Sequence, residues 1–348
     1  MKYKNVYLSG FGYHLPELRI STRELEERLS PVYKKLRIAV GQLEAMTGIK
    51  ERRWWNKGYQ MASGAIEAGE RALRAGGFEG SDIDALVYGG VCRDYYEPAT
   101  ACSVGAALGL RSDAIAYDLS NACLGVMNGI VDIANRIELG QIETGMVVSC
   151  ESSRDVTEDI INQLLENPNM GLFKDSIATL TGGSGAAAVI LTKNGSPRHK
   201  HRLVGGVSHS SLSHHNLCRW GVRKKERSTT DLEQFTITDA VGVLKHGLDL
   251  GAKTFAALLG ELGWAREQVD KVISHQVGKT HRLSILKKLG IPEERDYRTF
   301  DYFGNVGTVS LPLSAALAAE QRFLKSGDQV GFLGIGSGLN CLMLGVDW

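Results

Sequence analysis

An α/β layered fold built from one unit used twice is the architecture this sequence predicts, on three observations. Strand-like and helix-like segments alternate through the first half. A spaced signature of Leu73, Gly77, Ile83 and Asp84 returns as Leu259, Gly263, Val269 and Asp270 at one constant offset. Two stretches, GGSGAAAVIL at Gly182–Leu191 and GIGSGLNCLML at Gly334–Leu344, each send a GSG turn into an apolar strand. Recurrence of whole units in the same order reads as an internal duplication.

The elements follow in order. Asn5–Phe11 (NVYLSGF) reads as a strand, residues 62–75 as a helix, and Ile83–Val91 (IDALVYGGV) as a second strand. Ile115–Leu119 reads as a buried strand, and Ser120–Cys123 as a short turn. Residues 124–139 form a helix whose core face is Met127, Ile130, Val131, Ala134 and Ile137, followed by a strand at Gly145–Glu151 (GMVVSCE). The stretch from Glu151 to Thr179 interrupts the strand pattern and reads as an inserted helix and loop, about 152–178, of the kind that covers or lines a site. Turn signals and basic residues cluster at 193–202 (KNGSPRHKHR) and divide the chain into halves 1–195 and 196–348.

Composition narrows the function. In 348 residues there are 41 glycines and 7 prolines, a content of tight turns without linkers. Lys+Arg 40 against Asp+Glu 39 gives a net charge of +1, which offers no electrostatic reason for nucleic acid or an anionic membrane surface as partner. No apolar run approaches the roughly 20 residues of a membrane span. The six cysteines (Cys92, Cys102, Cys123, Cys150, Cys218 and Cys341) are scattered without a CxxC, which suits free thiols in a reducing cytoplasm.

Cys123 is the most informative of them, because it falls at a strand-to-helix junction. Backbone N–H groups and the positive end of the helix dipole there favour the thiolate, the form that attacks an acyl group. On local pattern alone it reads equally as a small buried apolar residue. By the same standard His275, after Val272-Ile273-Ser274, reads as a core histidine. Asn305, between glycines, reads as a left-handed turn residue.

Five motifs change that balance by their order: TGIKERRW (47–54), Asn121-Ala122-Cys123-Leu124-Gly125, Ser274-His275-Gln276, Gly304-Asn305-Val306-Gly307, and GIGSGLN (334–340). In this order, and end to end, the chain resembles the thiolase-fold condensing enzymes of the ketosynthase III branch. With Cys92-Arg93-Asp94-Tyr95-Tyr96-Glu97-Pro98 it is most similar to those members that join two acyl-CoA molecules in bacterial olefin biosynthesis.

The resemblance implies a five-layered αβαβα thiolase fold and a set of roles. Cys123 would take an acyl group from the first thioester. His275 and Asn305 would donate hydrogen bonds to the carbonyl of the second. The Cys123 and Ser337 backbone N–H groups would form the oxyanion hole. Joining two plain acyl-CoAs requires removal of an α-proton, and the resemblance gives that task to Glu97, delivered by the other subunit of a homodimer. The expected reaction is a non-decarboxylative Claisen condensation of two fatty acyl-CoAs to a 2-alkyl-3-keto acid or its thioester. Coenzyme A thioesters are substrates, no further cofactor is needed, and lipid-biosynthesis enzymes take the product. Read from the residues alone, Arg93–Pro98 is a solvated loop with a local ion pair. A decarboxylating synthase III using malonyl-carrier protein, and an acyl-CoA-binding relative without turnover, are the alternatives. The branch's usual His-Gln-Ala-Asn is here His275-Gln276-Val277-Gly278, and its Gly-Asn-Thr-Ser-Ala is Gly304-Asn305-Val306-Gly307-Thr308. Both changes keep the catalytic side chain and weigh against carrier-protein or malonyl use.

Other signals carry less. His199, His201, His209, His214, His215 and Cys218 lack metal-ligand spacing, so no metal is expected. Arg223-Lys224-Lys225-Glu226-Arg227 suits CoA phosphates or, more simply, a solvated loop. Trp54 and Trp55 suit an adenine ring or interface packing. GIGSGLN lacks the third glycine and the downstream acid of a dinucleotide site.

Overall fold

A computed structural model describes residues 1–194, 200–224 and 232–348 of the chain. Its strands are β1 (Val6–His14), β2 (Leu18–Ser21), β3 (Glu51–Trp54), β4 (Ala85–Gly89), β5 (Ile115–Leu119), β6 (Thr144–Glu151), β7 (Gly185–Lys193), β8 (His201–Ser210), β9 (Cys218–Lys224), β10 (Leu232–Thr238), β11 (Lys271–Ser274), β12 (Gln329–Gly336) and β13 (Asn340–Asp347). Nine of them join in the order β11-β12-β13-β8-β1-β7-β6-β4-β5.

Reading outward from the β1–β8 contact exposes the repeat. In the first half β4 runs parallel to β5 and β6, β6 antiparallel to β7, and β7 antiparallel to β1. In the second half β11 runs parallel to β12, β12 antiparallel to β13, and β13 antiparallel to β8. Where β5 stands in the first half, the second has a single parallel bridge between Val272 and Asp296. The sequence signature folds the same way twice. Gly77 (φ 72°) ends the helix Met61–Gly76 in a left-handed turn, a 3-10 turn follows at Gly80–Asp82, and β4 begins; Gly263 (φ 70°), Arg266–Gln268 and β11 repeat this.

Alternating side chains sort the core into layers. Val147 of β6 and Val189 of β7 point toward the helices Gly125–Glu138 and Ser310–Glu320, as do Phe332 of β12 and Leu344 of β13. Met146, Val148 and Ile190 point the other way, onto the helices Met61–Gly76 and Thr100–Leu108. Leu333, Cys341 and Met343 face the helices Ala240–Leu262 and Lys279–Leu289. Two outer helix layers, two half-sheets and a central helix layer give the αβαβα order expected of the thiolase fold. Each fully buried Ile, Met or Val of the helix Gly125–Glu138 contributes about 1.5–3 kcal/mol by burial.

Three expectations need correction or qualification. Ile115–Leu119 is not a buried strand: it is the edge of the sheet, pairs with β4 alone among the described strands, and is half-exposed, because no described residue pairs with its far side. The inserted segment is two helices, Arg154–Glu166 and Met170–Leu180, whose Ile160, Ile161, Leu164 and Phe173 pack with Leu25, Leu29 and Tyr33 of the N-terminal helices. The expected boundary at 195/196 falls outside the described residues.

Candidate active site

Every candidate residue follows the C-terminal end of a strand or sits in a loop against those ends. Cys123 comes four residues after β5 and just before the helix Gly125–Glu138. The turn is tight enough to force Ala122 to a positive φ of 45°, a conformation that costs a residue with a Cβ about 1 kcal/mol or more. Leu124 N donates to Asn121 O (2.9 Å), and the Asn121 side chain is held by Asn128 (2.8 Å) and Asn340 (3.1 Å). Asn340 lies just beyond the Gly336–Gly338 turn, so the last strand of the second half pins the nucleophile turn of the first. A Cβ on Gly336 would lie 3.4 Å from Cys123 N and 3.2 Å from Leu124 Cγ, which puts the Gly336-Ser337-Gly338 backbone against the nucleophile. The Gly338–Leu339 peptide is cis.

Burial pushes the Cys123 thiol up to about 12, with like-charge effects from Cys218 and Glu151 adding to it and its own backbone N–H opposing. The helix start favours the thiolate as expected, but desolvation outweighs it and the resting thiol is neutral. A shift from 9 to about 12 corresponds to roughly 4 kcal/mol in favour of the neutral form, against about 0.3–1 kcal/mol that a helix end typically supplies.

His275 continues β11, its N–H bonded to Leu333 O of β12 (3.0 Å). It is buried, and desolvation, with His281 adding a little, pushes its imidazole down to about 3. At neutral pH the ring is therefore uncharged and presents one N–H. A polar frame holds it on both sides. Ser274 Oγ donates to Asp296 Oδ1 (2.8 Å), and Arg282 Nε donates to Asp296 Oδ2 (2.6 Å). Gln276 Nε2 donates to Ser274 O (2.8 Å), while Gln276 Oε1 accepts from Thr299 N (2.8 Å). Beside His275 lies a cavity lined by Gly247, Gly251, His281, Ile285, Leu333 and Cys341.

Asn305 sits between Gly304 (φ 67°) and Gly307 (φ 56°). Its backbone bonds Thr181 O (3.0 Å) and Gly183 N (2.9 Å), and its side-chain Oδ1 accepts from Gly307 N (3.0 Å). With the amide oxygen engaged, the Nδ2 group is the end left to donate. Thr308 ties this turn to the nucleophile helix by accepting from Val126 N (2.7 Å).

Glu97 is placed differently. It lies on an exposed loop with Tyr95 and Tyr96, the latter 94 % exposed. The local ion pair expected there is not formed: Arg93 donates to Gly90 O (3.2 Å), and Asp94 caps the helix Met61–Gly76 by accepting from Met61 N and Ala62 N (2.7 and 2.9 Å). Asp94 anchors the loop, and Glu97 projects away from it.

Sequence reasoning missed Glu151, which ends β6 5 % exposed and accepts from Val91 N (3.0 Å), and the Ser274–Asp296–Arg282 frame. A carboxylate closing the otherwise apolar run MVVSCE was the available signal for the first. Trp54 and Trp55 are buried and bonded to Gly182 O and Glu151 O, Trp55 stacking on Tyr59 at 4.2 Å, so neither ring is open to an adenine. Arg223 pairs with Glu233, and residues 225–227 lie outside the described residues. His199 does too; His201 stacks on Trp348, His214 on His246, and Cys218 meets Thr238.

Residues 259–348 match the family model for the C-terminal part of 3-oxoacyl-[acyl-carrier-protein] synthase III. Among curated proteins, an acyl-CoA:acyl-CoA alkyltransferase of Shewanella oneidensis is 52% identical over 351 residues, covering 100% of both chains. One of Xanthomonas campestris pv. campestris is 33% identical, again over 100% of both. Among solved structures, a variant of Xanthomonas campestris OleA with bound lauric acid and lauroyl-CoA superposes with a TM-score of 0.92 at 32% identity, over 99% of this chain and 100% of the other.

Proposed function

From the premise that the chain belongs to the OleA family of acyl-CoA:acyl-CoA alkyltransferases in the thiolase superfamily, we propose the following division of labour. The chain condenses two fatty acyl-CoAs without decarboxylation. Cys123 attacks the first thioester, forming a Cys–acyl bond while its proton leaves with coenzyme A. The Cys123 and Ser337 N–H groups receive the oxyanion, each such donor being worth about 10²–10³ in rate.

The second acyl-CoA then presents its carbonyl to the His275 N–H and the Asn305 Nδ2 group. Glu97 removes its α-proton, a contribution of about 10²–10⁴. The enolate attacks the acyl-cysteine, which frees Cys123 and gives a 2-alkyl-3-ketoacyl thioester, released as such or as the acid after hydrolysis. Neutral imidazole suits this role, because a donor that stays uncharged stabilises the enolate without surrendering a proton to it. Glu97 reaches the site from a partner subunit across the open β5 edge, in a homodimer of the cytoplasm. Coenzyme A thioesters are the only small molecules required, and the β-keto product passes to downstream enzymes of olefin biosynthesis.

The observation that carries this reading is the thiol held at a helix start against the Gly336–Gly338 backbone, with a neutral histidine and an asparagine amide free to donate. Incubation with lauroyl-CoA alone tests it. Release of coenzyme A together with a condensed β-keto product is expected. Product only on addition of malonyl-carrier protein would favour a decarboxylating synthase, and binding without coenzyme A release would favour a non-enzymatic acyl-CoA binder.

A further inference from the structure

One buried ionisable group near Cys123 has no task in that chemistry. Glu151 closes β6, and its carboxyl lies in a slot between two glycines. A Cβ on Gly90 would come within 2.8 Å of its Oε1, and one on Gly307 within 3.6 Å of its Cγ. Only the absence of a side chain at Gly90 leaves room for the carboxyl, while Gly307 lies at contact distance, and both belong to segments that carry proposed catalytic groups. Gly90 precedes the loop leading to Glu97, whose root is bonded through Val91 N to Glu151 Oε1 at 3.0 Å. Gly307 donates to the Asn305 side chain.

No described cation forms an ion pair with Glu151. The titratable and charged groups around it are Tyr88 from β4, Cys92 and Arg93 from the loop, Cys150 from its own strand, and Cys123 from the nucleophile turn. Tyr88 spends its hydroxyl on Cys92 O and Cys150 O, and Arg93 is turned to Gly90 O. Among these groups Glu151 is the one that titrates near neutrality: burial pushes it up to about 7, and its charge pushes the Cys123 thiol further up.

We propose that Glu151 is a positioning residue of the condensing site, seating the root of the Glu97 loop against the Asn305 turn. This rests on the condensation reading for its consequence in turnover, but the effect on the thiol stands without it. When Glu151 is protonated, the thiolate forms more readily. As Glu151 ionises, the Val91 N–H bond gains charge assistance and seats the loop more firmly, while the thiolate becomes costlier.

The test is the rate of Cys123 alkylation by iodoacetamide between pH 5.5 and 10 in the full-length protein, with the adduct located by mass spectrometry to separate it from exposed Cys102. Glu151→Gln keeps an acceptor for Val91 N–H and cannot ionise. It should alkylate about three- to tenfold faster than wild type near pH 8, the size of effect expected from removing one like charge that acts on the thiol. Its rate should rise smoothly with pH across this range, without the inflection near pH 7 that ionisation of Glu151 gives the wild type. A profile that superimposes on wild type, or a slower reaction, overturns the charge effect. Glu151→Ala, which removes the anchor, should still form acyl-Cys123 from lauroyl-CoA but lose condensation at least tenfold. Wild-type condensation in that variant overturns the positioning role. Should Glu151→Ala not fold, Glu151→Gln decides both, since the weaker neutral acceptor should lower condensation while raising alkylation. If wild type itself forms no condensed product, the condensation reading fails while the alkylation result keeps its meaning.

Discussion

The two halves use one strand plan for opposite purposes at the same place. In the first half the outermost position is a full strand, β5, and Asp118 within it caps the neighbouring helix Thr100–Leu108 by accepting from Thr100 N and Ala101 N (3.0 and 2.9 Å). In the second half that position is a single bridging residue, Asp296, and it reaches the corresponding helix Lys279–Leu289 through the Arg282 side chain instead. One aspartate leaves an open edge and a chain that continues to Cys123. The other is sealed under its helix and braces Ser274, next to His275. A duplicated scaffold thus gives one half the proposed nucleophile beside an exposed edge and the other the proposed pair of donors in a closed frame.

The strongest test of that asymmetry is complementation between subunits. Cys123→Ala and Glu97→Gln should each abolish condensation alone, with Glu97→Gln still forming the acyl adduct. Mixed dimers of the two contain one site with an intact Cys123 and an intact Glu97 from the opposite chain. Co-expression should therefore restore condensed product to a substantial fraction of wild type, and failure to restore it would mean that Glu97 acts within its own chain.

Next in size is the sealed frame. Asp296→Ala leaves the Arg282 guanidinium with Glu293 as its one carboxylate and Ser274 Oγ without its acceptor, and should lower stability by about 3 kcal/mol in a denaturant titration. Its first-half counterpart is only a cap, so Asp118→Ala should cost about 0.5–2 kcal/mol. Equal losses at the two positions would erase the distinction.

The smallest effect separates the halves by pH. His275 and His281, in the second, are pushed by burial down to about 3 and about 4 from 6.5, so the unfolded chain binds protons that the native chain refuses. Their contribution is fully present above pH 6.5 and lost as pH falls through the folded values. Glu151, in the first, is pushed up from 4.5 to about 7 and behaves oppositely, its contribution being lost as pH rises from 4.5 through 7. His281→Gln should flatten the fall of Tm on acidification from pH 6.5 to 4.5, and Glu151→Gln should flatten the decline between pH 4.5 and 7.

Much of this architecture is legible in the residues, because its signals are local. Gly77 and Gly263 end helices in left-handed turns wherever they occur, so the repeat survives in the letters. Burial of β5 was misread because an edge is defined by what does not pair with it, which no residue pattern within Ile115–Leu119 records. The resting state of the Cys123 thiol is hidden from the sequence for a similar reason. The helix start is visible in sequence, but the desolvation that outweighs it comes from packed neighbours. Asp296 and Arg282 belong to a loop and a helix whose approach is set by the whole second half, and Glu151 resembles any acidic residue ending a strand until Gly90 and Gly307 are seen on either side of it.

The seam at β1 bears on how the protein is made. Strand β1 lies between β7 of its own half and β8 of the other, with Tyr7 opposite Arg202 and Leu8 opposite His201, and Tyr3 N bonded to Val204 O. A ribosome delivers the chain N-terminus first. The first half can therefore collapse around its own helices while one edge of its central strand still awaits a partner that has not been translated. Ser337 and Asn340, which flank the Cys123 turn, are translated only after β8, β11 and β12. A nascent chain therefore carries Cys123 long before the second half supplies the residues that surround it, and the site proposed around that thiol cannot assemble from the first half alone.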